Sequence, residues 1–182
     1  MKIKLIRHGK SACDFSKRLT SQNYREWVRK YGEEGICDLA PADVQLALSE
    51  STLVLTSDLK RAIDSAKTAD TIQSDPLYRE LDLPHFHVNF LKLTPRIWTV
   101  LYRSLWLIGF SKQAETRKQA KKRAAVAAEQ LENHAITYGT VALVGHGFFN
   151  RYLGRSLKKR GWEMDGNKGS ANWTIHTYDK KR

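Results

Sequence analysis

The chain begins Met1-Lys-Ile-Lys-Leu-Ile-Arg-His-Gly-Lys-Ser11, and this stretch decides the fold. Ile3, Leu5 and Ile6 form a short apolar run, and Gly9 stops it one residue after Arg7-His8. The pattern predicts a buried strand that delivers an arginine and a histidine to its carboxyl end. In open α/β sheets, ligands bind just beyond that end. A guanidinium beside an imidazole at such an edge points to an anion site, with the imidazole able to attack the anion.

Two more strand-to-helix junctions follow. Ser51-Thr-Leu-Val-Leu-Thr-Ser57 is β-branched and nearly unbroken, and Asp58 is placed to cap a helix over 59–72. Thr140-Val-Ala-Leu-Val-Gly145 is the third clear strand, with a helix opening at Gly147-Phe148 and running to about Lys159. Right-handed βαβ crossovers put Arg7-His8, Ser57–Arg61 and His146 on the same sheet edge. Residues far apart in the chain then share one pocket.

Between these landmarks, Tyr24, Trp27, Val28 and Tyr31 recur at helical spacing, with Thr20 or Ser21 as cap and Gly32 as stop. Pro41 suits the first turn of a second helix. Leu77–Leu83 alternates like a rim segment, and Thr94-Pro95 opens an apolar helix over 97–110. A long helix from about Lys112 to His134 turns Lys118, Lys121, Lys122 and Arg123 outward, and a last strand covers 172–178. No repeat or linker interrupts the 182 residues, so the expectation is one domain, with a variable apolar helical insertion at about 84–113.

With 41% hydrophobic and 27% charged residues the composition is globular. Lys and Arg outnumber Asp and Glu by 31 to 19, and the resulting +12 attracts anions without choosing among them. Cys13 and Cys37 are too few for a disulfide scaffold and read as free thiols. The longest apolar stretch is too short to span a bilayer and holds Arg103, so a cytoplasmic protein with no transmembrane segment is expected. Nothing in the sequence addresses the oligomeric state.

The junction residues fit phosphoryl chemistry. Arg7 and Arg61 would fork onto phosphate oxygens, with backbone N–H groups at a helix start adding donors. His8, beside permanent positive charge, would keep a lone pair and act as nucleophile. His146, if protonated, would hold the phosphoryl oxygens as charge shifts. A leaving alkoxide needs a proton; Glu80 in Tyr78-Arg-Glu-Leu-Asp-Leu83 is the first candidate acid, its pKa raised by apolar neighbours, and Asp82 is the second.

Four blocks, in order, resemble the histidine phosphatase (phosphoglycerate mutase-like) superfamily. Arg7-His8-Gly9-Lys10-Ser11 is similar to its Arg-His-Gly signature, and Thr56-Ser-Asp-Leu-Lys-Arg61-Ala to its second arginine block. Arg79-Glu80-Leu-Asp-Leu83 is similar to the acid block, and Val144-Gly-His146-Gly-Phe-Phe-Asn-Arg151 to the second histidine block. The resemblance implies a three-layer α/β/α fold with a mostly parallel central sheet, a phosphohistidine at His8, and neither metal nor cofactor. It also implies the same roles for Arg7, His8, Arg61, Glu80 and His146. Lys10 stands where Glu or Gln is usual and Asp14 where Asn is usual, which makes both candidate modulators of the pocket. Asp14 would repel a dianion unless Lys10 or Lys60 offsets it.

The expected activity is that of a phosphomonoesterase acting on a phosphorylated small molecule. The alternatives are mutase-type phosphoryl transfer, or a phosphate- or nucleic-acid-binding module without turnover. A short chain has little room for the loops with which a mutase excludes water. The Lys118–Arg123 run reads as a solvated helix face rather than a nucleic-acid interface. His85-Phe-His87 has no further ligand at metal spacing. Apolar side chains surround the 97–110 helix on nearly all sides, which fits burial, a lid over the pocket, or a partner or membrane-surface contact.

Overall fold

A computed structural model describes residues 1–88, 90–165 and 169–180. The opening run forms β1 (Lys2–Arg7), fully buried from Ile3 to Ile6 apart from a trace of Lys4. Its neighbours are β4 (Thr140–Gly145), parallel with Leu5 opposite Leu143, and β6 (Ile175–Asp179), antiparallel with Ile3 opposite Tyr178. Outward from β4 lie β2 (Leu53–Thr56) and β3 (Ile72–Ser74), both parallel, and outward from β6 lies β5 (Glu163–Asp165), antiparallel to it. The order is β3-β2-β4-β1-β6-β5, a mostly parallel six-stranded sheet.

Alternation along the strands builds two cores. Ile3, Leu5, Leu53, Leu55, Val141 and Leu143 face α5 (Arg117–Tyr138) and α6 (Gly147–Lys159). Ile6, Val54, Ala142 and Val144 face the other way, with Val44, Ala47 and Leu48 of α2 (Ala42–Ser49) and Ala66, which follows α3 (Lys60–Ser65). Each fully buried aliphatic side chain stabilises the fold by roughly 1.5–3 kcal/mol, so a strand buried on both faces is a strong determinant. Lys4 lies on the α2 side and turns its ammonium to Glu50 at 2.7 Å and to the Ala47 carbonyl at 3.1 Å. Helices on both faces of the sheet make this the expected three-layer α/β/α fold.

A third cluster stands apart. Tyr24 of α1 (Ser21–Glu33) packs on Trp98 and Tyr102 of α4 (Pro95–Leu107). The Trp98 indole N–H donates to the Leu19 carbonyl at 2.7 Å, which ties α4 to the loop after β1.

Several local expectations are corrected. The predicted 59–72 helix stops at Ser65, because Ile72 leaves the helical path to pair with Val54 and extend the sheet. Asp58 does not cap it; its carboxylate takes the fork of Arg79 at 2.5 and 2.6 Å, a stronger partner than a backbone N–H. Leu77–Leu83 is no strand: Pro76–Tyr78 make one 3-10 turn and irregular chain follows. The long helix starts at Arg117, where Thr116 and Gln119 form a capping box, and ends at Tyr138. Arg123 points inward, donating to Glu115 at 2.8 and 2.9 Å and lying 4.0 Å from the Phe149 ring centroid. The last strand begins at Ile175 rather than 172, and of the basic tail only Lys180 lies among the described residues, bonded to Glu132 at 2.6 Å.

Candidate active site

Because β2, β4 and β1 are adjacent and parallel, their carboxyl ends present Ser57, His146 and His8 side by side. The two imidazole centroids are 5.1 Å apart, with planes inclined by 60°. His8 is 3% exposed and His146 is fully buried.

Nδ1 of His8 lies 2.7 Å from the Gly9 carbonyl oxygen, which can only accept, so Nδ1 carries the proton. Nε2 is therefore left with the lone pair, and Arg61 Nε–H points at it from 3.3 Å. Burial first, then the positive charge of Arg61, pull the His8 pKa down from 6.5 to about 3, so the ring is a neutral base. Asn172 holds this turn in place, its amide donating to the carbonyls of His8 at 2.8 Å and Gly9 at 2.9 Å. Gly9 has no room for a side chain: a Cβ would overlap the Trp173 ring and lie 2.6 Å from Asp38 Oδ1.

His146 is the residue before α6, and its Nε2 lies 2.6 Å from the Ser57 hydroxyl. Burial and the neighbouring Arg61 hold it well below its ordinary pKa, so these surroundings favour the neutral ring. Its Nδ1 and the Nε of Arg7 are both buried without a hydrogen-bond partner among the described residues. Buried polar nitrogens without partners are rare and call for a ligand or water to complete them.

The arginines enter from opposite sides. Arg61, in the first turn of α3, gives Nη1 to the Tyr31 carbonyl at 2.9 Å and lies 4.2 Å from the Tyr31 ring centroid. Arg7 packs on Gly147, where a Cβ would sit 3.1 Å from its Cδ, and donates to the Ser170 carbonyl. The missing side chain at Gly147 lets a guanidinium lie across the start of α6.

Glu80 reaches the same helix start. Oε1 accepts the Phe149 N–H at 2.8 Å and Oε2 the Phe148 N–H at 3.2 Å, with Arg103 of α4 3.7 Å from Oε2. Backbone donors and a guanidinium thus surround a carboxylate expected to have apolar neighbours. Its segment is pinned from behind, since Arg123 donates to the carbonyls of Leu77 and Arg79 at 2.8 and 2.9 Å. Asp82 is exposed, on the rim of a 620 Å³ cavity that Glu80, Arg79 and Arg123 also line.

Lys10 and Asp14 are both exposed. Asp14 Oδ1 accepts from the Ser16 N–H at 2.8 Å and its hydroxyl at 2.6 Å, bonds that hold its pKa down. Lys60 is paired with Asp64 at 2.7 Å. Ser57, Tyr31, Asn172 and Arg103 belong to the site and were not singled out from the sequence. Ser57 had a signal, since it directly follows β2 in the junction set. Arg103 was visible only as a charge inside an apolar helix, and Asn172 was read as the first residue of the last strand, whereas it lies in the loop before it.

A family-level comparison matches residues 3–182 to the histidine phosphatase superfamily (branch 1). The chain belongs to this superfamily. Solved structures agree on the fold at low identity. The native structure of a mycobacterial glucosyl-3-phosphoglycerate phosphatase is 20% identical with a TM-score of 0.58, covering 87% of this chain and 79% of that one. The VO3 complex of that phosphatase is 18% identical, with a TM-score of 0.60 and 96% of each chain covered. A Thermus thermophilus protein, TTHB049, is 21% identical, with a TM-score of 0.52 over 86% of this chain and 85% of the other. No curated protein matches. The four blocks that carry the superfamily resemblance are the ones whose side chains meet at the carboxyl edge of the sheet. Among the described residues, no helix is long and apolar enough to cross a membrane.

Proposed function

We propose that the protein is a phosphomonoesterase that hydrolyses a phosphorylated small molecule through a phosphohistidine on His8. The observation that carries this reading is the His8 hydrogen bonding. Nδ1–H is committed to Gly9 and the Nε2 lone pair faces the Arg61 guanidinium. A phosphoryl group drawn to that guanidinium arrives in front of the nucleophilic nitrogen.

Glu80 takes up a proton as the substrate dianion enters beside it; in the first half-reaction Nε2 then bonds to phosphorus as the ester P–O bond breaks, and the leaving oxygen takes that proton from Glu80. In the second, Glu80 takes a proton from water, the hydroxide attacks phosphorus, and the P–N bond breaks to free His8 and inorganic phosphate. Arg7, Arg61 and His146 hold the phosphoryl oxygens throughout. A dianion bound among them adds the negative charge that allows His146 to take up a proton.

The test is phosphate release from an aryl phosphate and from 3-phosphoglycerate. The wild type should release phosphate from the aryl ester, and His8→Ala should release none while keeping its fold. Isomerisation of 3-phosphoglycerate without phosphate release would assign the mutase reading instead.

A further inference from the structure

The outer face of α4 is largely apolar, interrupted by the exposed Arg96 and Ser104. Trp98, Tyr102 and Trp106, at four-residue spacing, are fully buried. On the opposite arc Ile97, Val100, Leu107 and Ile108 stand exposed, Val100 to 64% and Ile108 to 81%. Just before the helix, Phe90 is 92% exposed and Leu91 is exposed with it. Surface helices normally turn polar residues outward, and a contiguous apolar stripe marks an interaction site.

Charge narrows what that site meets. No Asp or Glu occurs between residues 83 and 114, while Lys92, Arg96, Arg103 and Lys112 do. Of these, Lys92, Arg96 and Lys112 are exposed. We propose that the outer face of α4 docks on an anionic lipid surface. A helix lying flat in the headgroup region buries aliphatic side chains at the hydrocarbon boundary while lysines and arginines meet lipid phosphates. A second copy of the chain is a poorer occupant, because each carries +12 and the stripe is flanked by cations on both copies. An acidic protein would answer the charges but would need an apolar groove of its own. Arg103, on the flank of α4 beside Arg96, contacts Glu80, so docking brings the proton-donor side of the site to the headgroups.

The experiment is co-sedimentation of the full chain with vesicles of phosphatidylcholine alone, and with vesicles of equal parts phosphatidylcholine and phosphatidylglycerol. The wild type should pellet with the anionic vesicles and not with the zwitterionic ones. The triple variant Ile97→Ser, Val100→Ser, Ile108→Ser should lose about tenfold or more in apparent affinity. Its circular dichroism and unfolding midpoint should stay close to wild type, because none of the three is buried. Absence of binding to anionic vesicles overturns the proposal. So does equal binding by the triple variant, which would reduce the effect to net charge. A wild-type dimer that the same substitutions split into monomers would assign the face to a second copy, and binding only to an acidic protein would assign it to such a partner.

Discussion

The Ser57 hydroxyl lies 2.6 Å from Nε2 of His146, and this bond joins the end of β2 to the start of α6. Both groups are buried, so removing one leaves the other without its partner. Ser57→Ala should cost about 1–3 kcal/mol of stability and lower kcat, because the His146 ring loses the bond that fixes its orientation. Chemical denaturation with parallel kinetics checks this. A variant with unchanged stability would show the bond to be dispensable.

Glu80→Gln should separate substrates by leaving group. The amide oxygen can still accept one of the two N–H groups at the start of α6, its NH2 group cannot accept the other, and the side chain can no longer give up a proton. Alkyl phosphates should slow by roughly 10²–10⁴, while aryl phosphates with acidic leaving groups should change little. Rates across a series of esters of graded leaving-group pKa measure this, and equal slowing of all of them would remove the acid role.

Acid should weaken the fold through the buried imidazoles. The folded pKa of His8 is about 3 against an ordinary 6.5, and that of His146 moves in the same direction. Between those values the unfolded chain binds protons that the folded chain excludes. Stability is therefore fully present above about pH 6.5 and is lost as pH falls toward about pH 3. Denaturation midpoints at about pH 7 and about pH 4.5 should differ less for His8→Gln than for the wild type. Equal differences would mean that His8 is protonated in the fold.

Gly9→Ala should damage fold and reaction together. The added methyl meets the Trp173 ring and Asp38, which are bonded to each other at 2.9 Å through the indole N–H. Trp173 also holds a left-handed backbone angle, φ 64°, so it has little freedom to move aside. A loss of about 1–3 kcal/mol is expected, with a fall in kcat because the Gly9 carbonyl anchors His8 Nδ1. Thermal unfolding and aryl phosphate hydrolysis of the variant check both halves.

What the sequence made legible was the centre of the sheet and the residues at its edge. Strand β4 and the start of α6 were readable to the residue, because an unbroken apolar run ends at a glycine and a new helical period begins at once. Edge elements were not. β3 and β5 are three residues each, and Gln73, Ser74, Glu163 and Asp165 are exposed, so no apolar pattern marks them. Ile63, Ala66 and Ala69 kept a helical spacing past the true end of α3, and only the pairing of Ile72 with Val54 shows where the chain turns back to the sheet. Arg123 was read outward with its lysine neighbours, since nothing local announces Glu115 or the carbonyls of residues 77 and 79. Within the site, Arg7, His8, Arg61, Glu80 and His146 were visible, because each lies in one of the four blocks. Ser57 was marked only by its place directly after β2, and Asn172, which holds the His8 turn, depends on contacts across the fold that no short stretch encodes.

The decisive measurement is acid-stable against base-stable phosphate trapping during turnover. The enzyme is mixed with a phosphorylated substrate, quenched in alkali within the turnover time, and mapped by peptide mass spectrometry. A base-stable, acid-labile phosphate on His8, present in the wild type and in Glu80→Gln but missing from His8→Asn, is the result expected. Steady hydrolysis with no phosphate on His8, or with phosphate on another residue that survives in His8→Asn, would contradict it.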